Sequence, residues 1–284
     1  MKTRNVALVL ALLLPVAAGA VSRAETLRQV ESSMLVKGTI ETSAGGSVTS
    51  VLLDKPEKIP PGVVDFVQKQ VMAWKFEPVM VDGTARPARS PMSVRVVARV
   101  QEGDSYVISI RNASFHDDNP REGEAITRAS IRAPRYPDPV LRSGAQGTVY
   151  VVAKVERDGR VSDAVVEQVN LRTIGTRNEM AAWRKALGDA TLRAVREWKY
   201  TPPVRGEMAD DEYWQVRVPV DFKMDNHRYV YGKWEMYIPG ARQTLPWSPE
   251  RERPGFSPDS LAEGGDYLIG QDHGLQLLTP LAGT

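Results

Sequence analysis

"VREWKYTPP" occupies residues 195–203, and "VMAWKFEPV" occupies residues 71–79. Reading outward from the later phrase gives a structural unit. Leu187, Thr191, Ala194, Val195 and Trp198 fall on one helical stripe. Thr176 precedes Glu179 by the spacing of a capping box, and Pro202-Pro203 forbids helix beyond the phrase. Upstream, "GTVYVVAKVERDGRVSDAVVEQV" (147–169) reads as a β-hairpin. Val149, Val151, Ala153 and Val155 share a face, and Asp158-Gly159 supplies the turn. Downstream, Trp214, Val216, Val218, Val220, Phe222 and Met224 point one way along a last strand, and Gln215, Arg217, Pro219, Asp221 and Lys223 the other. Pro219 has no N–H to donate, which suits an edge strand or a bulge.

The earlier phrase has similar surroundings. "MLVKGTIETSAGGSVTSVLL" (34–53) offers a hairpin turning at Gly45-Gly46. A helix starting at Pro60-Pro61 carries Val63, Val67, Val71 and Trp74 on one stripe. Asp82-Gly83 marks a turn, and Met92, Val94, Val96, Ala98 and Val100 line a closing strand. Recurrence of a phrase together with its context signals a repeated unit. Turn glycine and tryptophan lie 28 residues apart in the first unit and 39 in the second, read as an 11-residue insertion around the second helix's start. Trp74, Phe76, Trp198 and Tyr200 are read as core, because large aromatics dominate burial.

The chain's 284 residues are 42% hydrophobic and 25% charged, enough for a real core. Lys2 and Arg4, an apolar run from Val6 to about Ala18, and small residues ahead of Ala20 and Ala24 have the layout of a cleavable signal peptide. Its removal leaves 34 basic against 35 acidic residues, so bulk charge points to neither nucleic acid nor an anionic membrane. No other stretch is apolar enough to span a bilayer. The chain has no cysteine, which excludes disulfides and thiol chemistry and suits a bacterial periplasm.

Residues 101–133 connect the units, and "SYVISIRNASF" (105–115) alternates like a further strand. Residues 225–284 hold six prolines and eight glycines without clean periodicity. Their aromatics suggest packing as far as about Trp247, with the last 20 or so residues mobile. His116, His227 and His273 are isolated, and no catalytic or metal-binding spacing is present, so neither enzyme activity nor a cofactor is expected. "GDYLIGQDHG" (265–274) lacks the pattern of a calcium loop and reads as a solvated turn.

The second unit resembles the C-terminal domain of TonB, a periplasmic protein that engages outer-membrane transporters. The likeness rests on Tyr136-Pro137, Gly147, Asp158-Gly159-Arg160-Val161, Trp198-Lys199-Tyr200-Thr201-Pro202 and Val218-Pro219-Val220-Asp221-Phe222. The first unit keeps Trp74-Lys75-Phe76-Glu77-Pro78 and lacks both the Tyr-Pro pair and the V-P-V strand. TonB itself keeps a membrane anchor and a long Pro-rich spacer; this chain has a cleavable-looking signal and no such spacer. The fold implied is α+β: two β-β-α-β modules, each a helix on an antiparallel sheet. Their expected limits are 1–24 signal peptide, 25–100 degenerate module, 101–133 linker, 134–224 clear module and 225–284 irregular tail.

Members of the resembled family capture a transporter segment by strand addition. Carried over, that implies a binding edge at Val216, Arg217, Val218, Val220 and Phe222, with Tyr136 and Pro137 beside it. The expected function is periplasmic protein binding to an envelope protein or peptide. The alternatives are an accessory of TonB-dependent transport, with a transporter as partner, and an assembly role through the tail. Paired or swapped edges would allow a homo-oligomer.

Overall fold

The structure is a computed structural model and describes residues 30–100, 106–115, 122–206, 208–224, 230–247, 257–261, 265–269 and 275–281. The signal-peptide reading and the three histidines lie outside these residues.

In the first unit, β1 (Glu31–Thr42) turns at Gly46, φ 77°, into β2 (Val48–Leu53). Helix α1 (Pro61–Met72) follows, with Val63, Val67 and Val71 buried as the stripe requires. A tight hairpin of β3 (Val79–Val81) and β4 (Thr84–Arg86) turns through Asp82 and Gly83, both at positive φ. Then β5 (Ala88–Val100) returns along the whole of β1, and β6 (Tyr106–Ser114) pairs with β5 from Ser93 to Val100. The order β2-β1-β5-β6 buries Met34, Val36, Ile40, Val94 and Val96 beneath α1 and Trp74.

The second unit begins after β7 (Thr127–Ser130) and the short α2 (Asp138–Arg142). Its hairpin is β8 (Gly147–Glu156) and β9 (Val161–Leu171), turning at Gly159, φ 79°. Helix α3 (Arg177–Val195) carries the expected capping box at Thr176 and Glu179. Gly188 brings α3 close to β9, where an added Cβ would lie 3.4 Å from Val166. After β10 (Lys199–Thr201), β11 (Tyr213–Phe222) pairs with the whole of β8. Val149, Val151, Ala153 and Val155 are fully buried with Leu187, Val195, Trp198 and Trp214.

The 11 extra residues lie around the helix start, at the end of β9 and the beginning of α3. They come mainly from a longer β9 (11 residues against 6 in β2) and a longer α3 (19 against 12 in α1). Both elements lengthen together because the helix needs sheet beneath it.

The tail departs most from expectation. β12 (Glu235–Tyr237) pairs with Glu31–Ser33 of β1, and the next residue, Ile238, exchanges hydrogen bonds with Leu171 at the end of β9. The tail thereby ties the two sheets together. β13 (Tyr267–Leu268) pairs with β11. Far from being mobile, Leu275, Leu277 and Leu281 are buried in the first unit's core, and Leu277 bridges Phe76. The physical reason is apolar area: burying each leucine is worth about 2 kcal/mol, enough to hold an aperiodic segment. Among the described residues no helix is long and apolar enough to cross a membrane.

Candidate functional site: the outer edge of the second sheet

The two phrases set matching local frames. Phe76 N–H donates to Gly46 O and Tyr200 N–H to Gly159 O, each at 2.8 Å. An added Cβ on either glycine would sit 2.0 Å from the carbonyl oxygen of that aromatic residue. Trp74 meets Phe76, and Trp198 meets Tyr200, edge-on with ring centroids 6.4 and 6.5 Å apart. Gly38 and Gly147 correspond too: a Cβ on each would lie 2.4 Å from a neighbouring-strand carbonyl. In each unit the tryptophan thus closes the helix stripe, and the next aromatic returns the chain to the hairpin turn.

That frame fixes β11 as the outer strand of the sheet, beside β8. Val216, Val218, Val220 and Phe222 send their side chains into the core. Tyr136 joins them at the far end: its ring meets Phe222 edge-on at 5.3 Å, and its hydroxyl donates to Ala145 O at 2.5 Å. Burial raises the Tyr136 phenol above its ordinary range. Pro137 caps α2. The structure therefore brings Tyr136 and Pro137 to the Phe222 end of the expected edge.

Two expectations for this edge need correction. First, the main chain at Val216 and Arg217 is taken: β13 pairs Leu268 with Val216 and Tyr267 with Arg217, and Ile269 N–H donates to Gln215 O at 2.8 Å. The sequence "GDYLIGQDHG" is thus no solvated turn at Tyr267 and Leu268, which are buried strand. Second, Arg217 offers no charge to solvent. Its side chain, 5% exposed, makes a bidentate pair with the fully buried Glu167 at 2.5 and 2.9 Å. Arg242 of the tail reaches the same carboxylate at 2.9 Å. A buried carboxylate demands such partners. Alternating polar residues on β11 suggested a wet face, and the tail covers it instead. Leu245, Ile269 and Val152 form a small apolar cluster there.

Strand alternation sets what remains. The Gln215 main chain bonds on the outer side, so the main-chain groups of Arg217, Pro219 and Asp221 point that way as well, Pro219 with a carbonyl and no N–H. Past Arg217 no further strand pairs with β11 on its outer side among the described residues. The tail engages the far half of the opposite edge: Ile238 bonds to Leu171, and Gln243 N–H donates to Glu167 O at 2.7 Å.

A separate cleft of about 260 Å³ lies between the units, walled by Lys37, Arg95, Tyr150, Arg172 and Glu235. Among the described residues no group of His, Asp and Glu is arranged to hold a metal ion.

With this geometry in view, comparison with known proteins is informative. Over 93 residues the chain is 33% identical to protein tonB2 of Pseudomonas aeruginosa, covering 33% of this chain and 29% of that protein. Over 101 residues it is 31% identical to protein TonB of Xanthomonas campestris pv. campestris, covering 35% of this chain and 39% of that protein. These likenesses support a TonB-like domain in the chain. The chain therefore spans well under half the length of the TonB proteins it matches. No protein-family model and no solved structure matches it.

Proposed function

We propose that this chain is a periplasmic binding protein of the cell envelope, built of two TonB C-terminal-like β-β-α-β modules. The clear module spans 134–224 and the degenerate one 25–100, with 101–133 as linker and 225–284 as tail. It binds an extended segment of an envelope protein by strand addition to β11. The observation that carries this reading is the outer side of the second sheet: the tail engages the β9 edge at Glu167 and Leu171, and among the described residues no strand pairs with the β11 edge past Arg217. Main-chain groups there supply affinity, and Tyr136 and Phe222 supply an apolar end. No chemical step is part of this reading.

The test is a photo-crosslinking amino acid at Lys223, just beyond β11, compared with one at Arg193 on the exposed face of α3. In intact cells the first should give a discrete adduct with an envelope protein and the second none. Equal labelling from both sites would refute the edge as the contact.

A second reading is favoured by the names of the relatives. As an accessory of TonB-dependent transport, the chain would engage an outer-membrane transporter, which the Lys223 adduct would identify. The third reading, assembly through the tail, predicts adducts from exposed tail positions such as Leu278 instead.

A further inference from the structure

The segment that blocks part of the β11 edge has the properties of a ligand. β13 is two residues long, whereas β8 pairs with β11 along its full length. Two-stranded pairings this short are marginal by themselves. What holds β13 is a set of side-chain seats. Leu268, 4% exposed, enters the helix-side core beside Val216. Ile269 packs on the other face with Val152 and Leu245. Asp266 makes a bidentate pair with Arg128 of β7 at 2.6 and 2.7 Å. Arg128 is 42% exposed, so solvent screens the pair and it selects more than it stabilises. Acid, aromatic, aliphatic, aliphatic is thus the order in which the edge reads a strand.

We infer that β13 is a built-in peptide ligand: Asp266–Ile269 occupies the strand-addition edge in cis and displays the sequence type of the partner that replaces it. That partner is an extended segment in which an acidic residue precedes one aromatic and two aliphatic residues. The inference rests on β11 being the binding edge, as proposed above. A protein whose competent state is mostly occupied by its own segment binds a competitor more weakly by the free fraction. The tail therefore sets a threshold that only a matching segment, or one held nearby, overcomes.

The test uses the full chain and a fluorescent synthetic peptide of residues 263–271 ("EGGDYLIGQ"). A double variant, Asp266→Asn with Ile269→Pro, removes the acid and the N–H donated to Gln215 O. Fluorescence anisotropy should show this variant binding the peptide about tenfold or more tightly than the unaltered chain. A second arm reverses the charges: in the double-variant chain, adding Arg128→Glu should shift preference to a peptide carrying Lys in place of Asp266. If the double variant, folded by circular dichroism, binds no more tightly than the unaltered chain, or Arg128→Glu leaves peptide preference unchanged, the built-in ligand is refuted. The Lys223 adduct stands apart from this outcome: its persistence would keep β11 as the edge, and its loss would remove the edge itself.

Discussion

The two units share a frame and differ in what lies against the closing strand. In both, a turn glycine accepts the N–H of the aromatic two residues after tryptophan, with equal 2.8 Å bonds and no room for a Cβ. In the first unit, β5 runs on past Met92, and β6 pairs with that extension as far as Val100. In the second, among the described residues the outer side of β11 receives β13 alone. The same side of the same architecture is thus filled by a long strand in one place and a short one in the other. The comparison teaches that the tryptophan–aromatic frame sets the local fold of each unit, and the material between and after the units decides what lies against the closing strand.

The largest expected effect tests the shared frame. Trp74→Ala and Trp198→Ala should each cost about 3–5 kcal/mol by urea denaturation, since both are 3% exposed. A much smaller loss at Trp74 would show that the first unit does not depend on its phrase. Gly46→Ala and Gly159→Ala come next. Each combines positive φ with a carbonyl 2.0 Å from the new Cβ, so roughly 3 kcal/mol should be lost at both. Unequal losses would break the correspondence between the turns.

Glu167→Gln sharpens the contrast in what covers each closing strand: in the second unit the buried carboxylate joins β11 to the tail, whereas in the first the buried Glu31 joins Arg99 and Arg111 within the sheet. It weakens the Arg217 pair and the Arg242 contact together, and should cost about 2–3 kcal/mol. The same variant should loosen residues 240–247, seen as faster amide exchange at Gln243. Thr176→Ala removes the cap on α3 for about 1 kcal/mol. α1, whose N-cap is Pro60 with no side-chain bond, has nothing equivalent to lose.

The smallest effect is pH-dependent. Burial holds the Asp259 carboxyl above its ordinary range, with Arg95 and Arg111 partly opposing. The protonated form is therefore favoured in the folded state. That stabilisation is complete below the ordinary carboxylate range and is lost as pH rises through the raised value. Asp259→Asn should gain on the unaltered chain as pH rises, read from urea midpoints between acid and neutral pH. Parallel midpoints at every pH would show that Asp259 is not held protonated.

Much of the second unit is legible from residues alone: the turn at Asp158-Gly159, the box at Thr176 and Glu179, and the stripe ending at Trp198 are local signals with local causes. The corrections all concern partners far apart in sequence. Alternation along β11 shows which residues share a face, but not that Glu167 and Arg242 wait on the polar one. "GDYLIGQ" is too short to carry a period, and its strand exists because Val216 and Arg217 offer an edge. "LQLL" (275–278) is apolar at three of four positions, and that hint of burial was masked by prolines and glycines around it.

Gln276 accepts the N–H of Glu77, and Leu278 N–H donates to Lys75 O, across about two hundred residues of chain. A ribosome delivers Trp74 long before it delivers Leu277. The first half must wait, with its hydrophobic groove uncovered, until the final stretch emerges. Synthesis order and completion order are therefore opposed in this molecule, and a chaperone would have most to shield in the half that is made first.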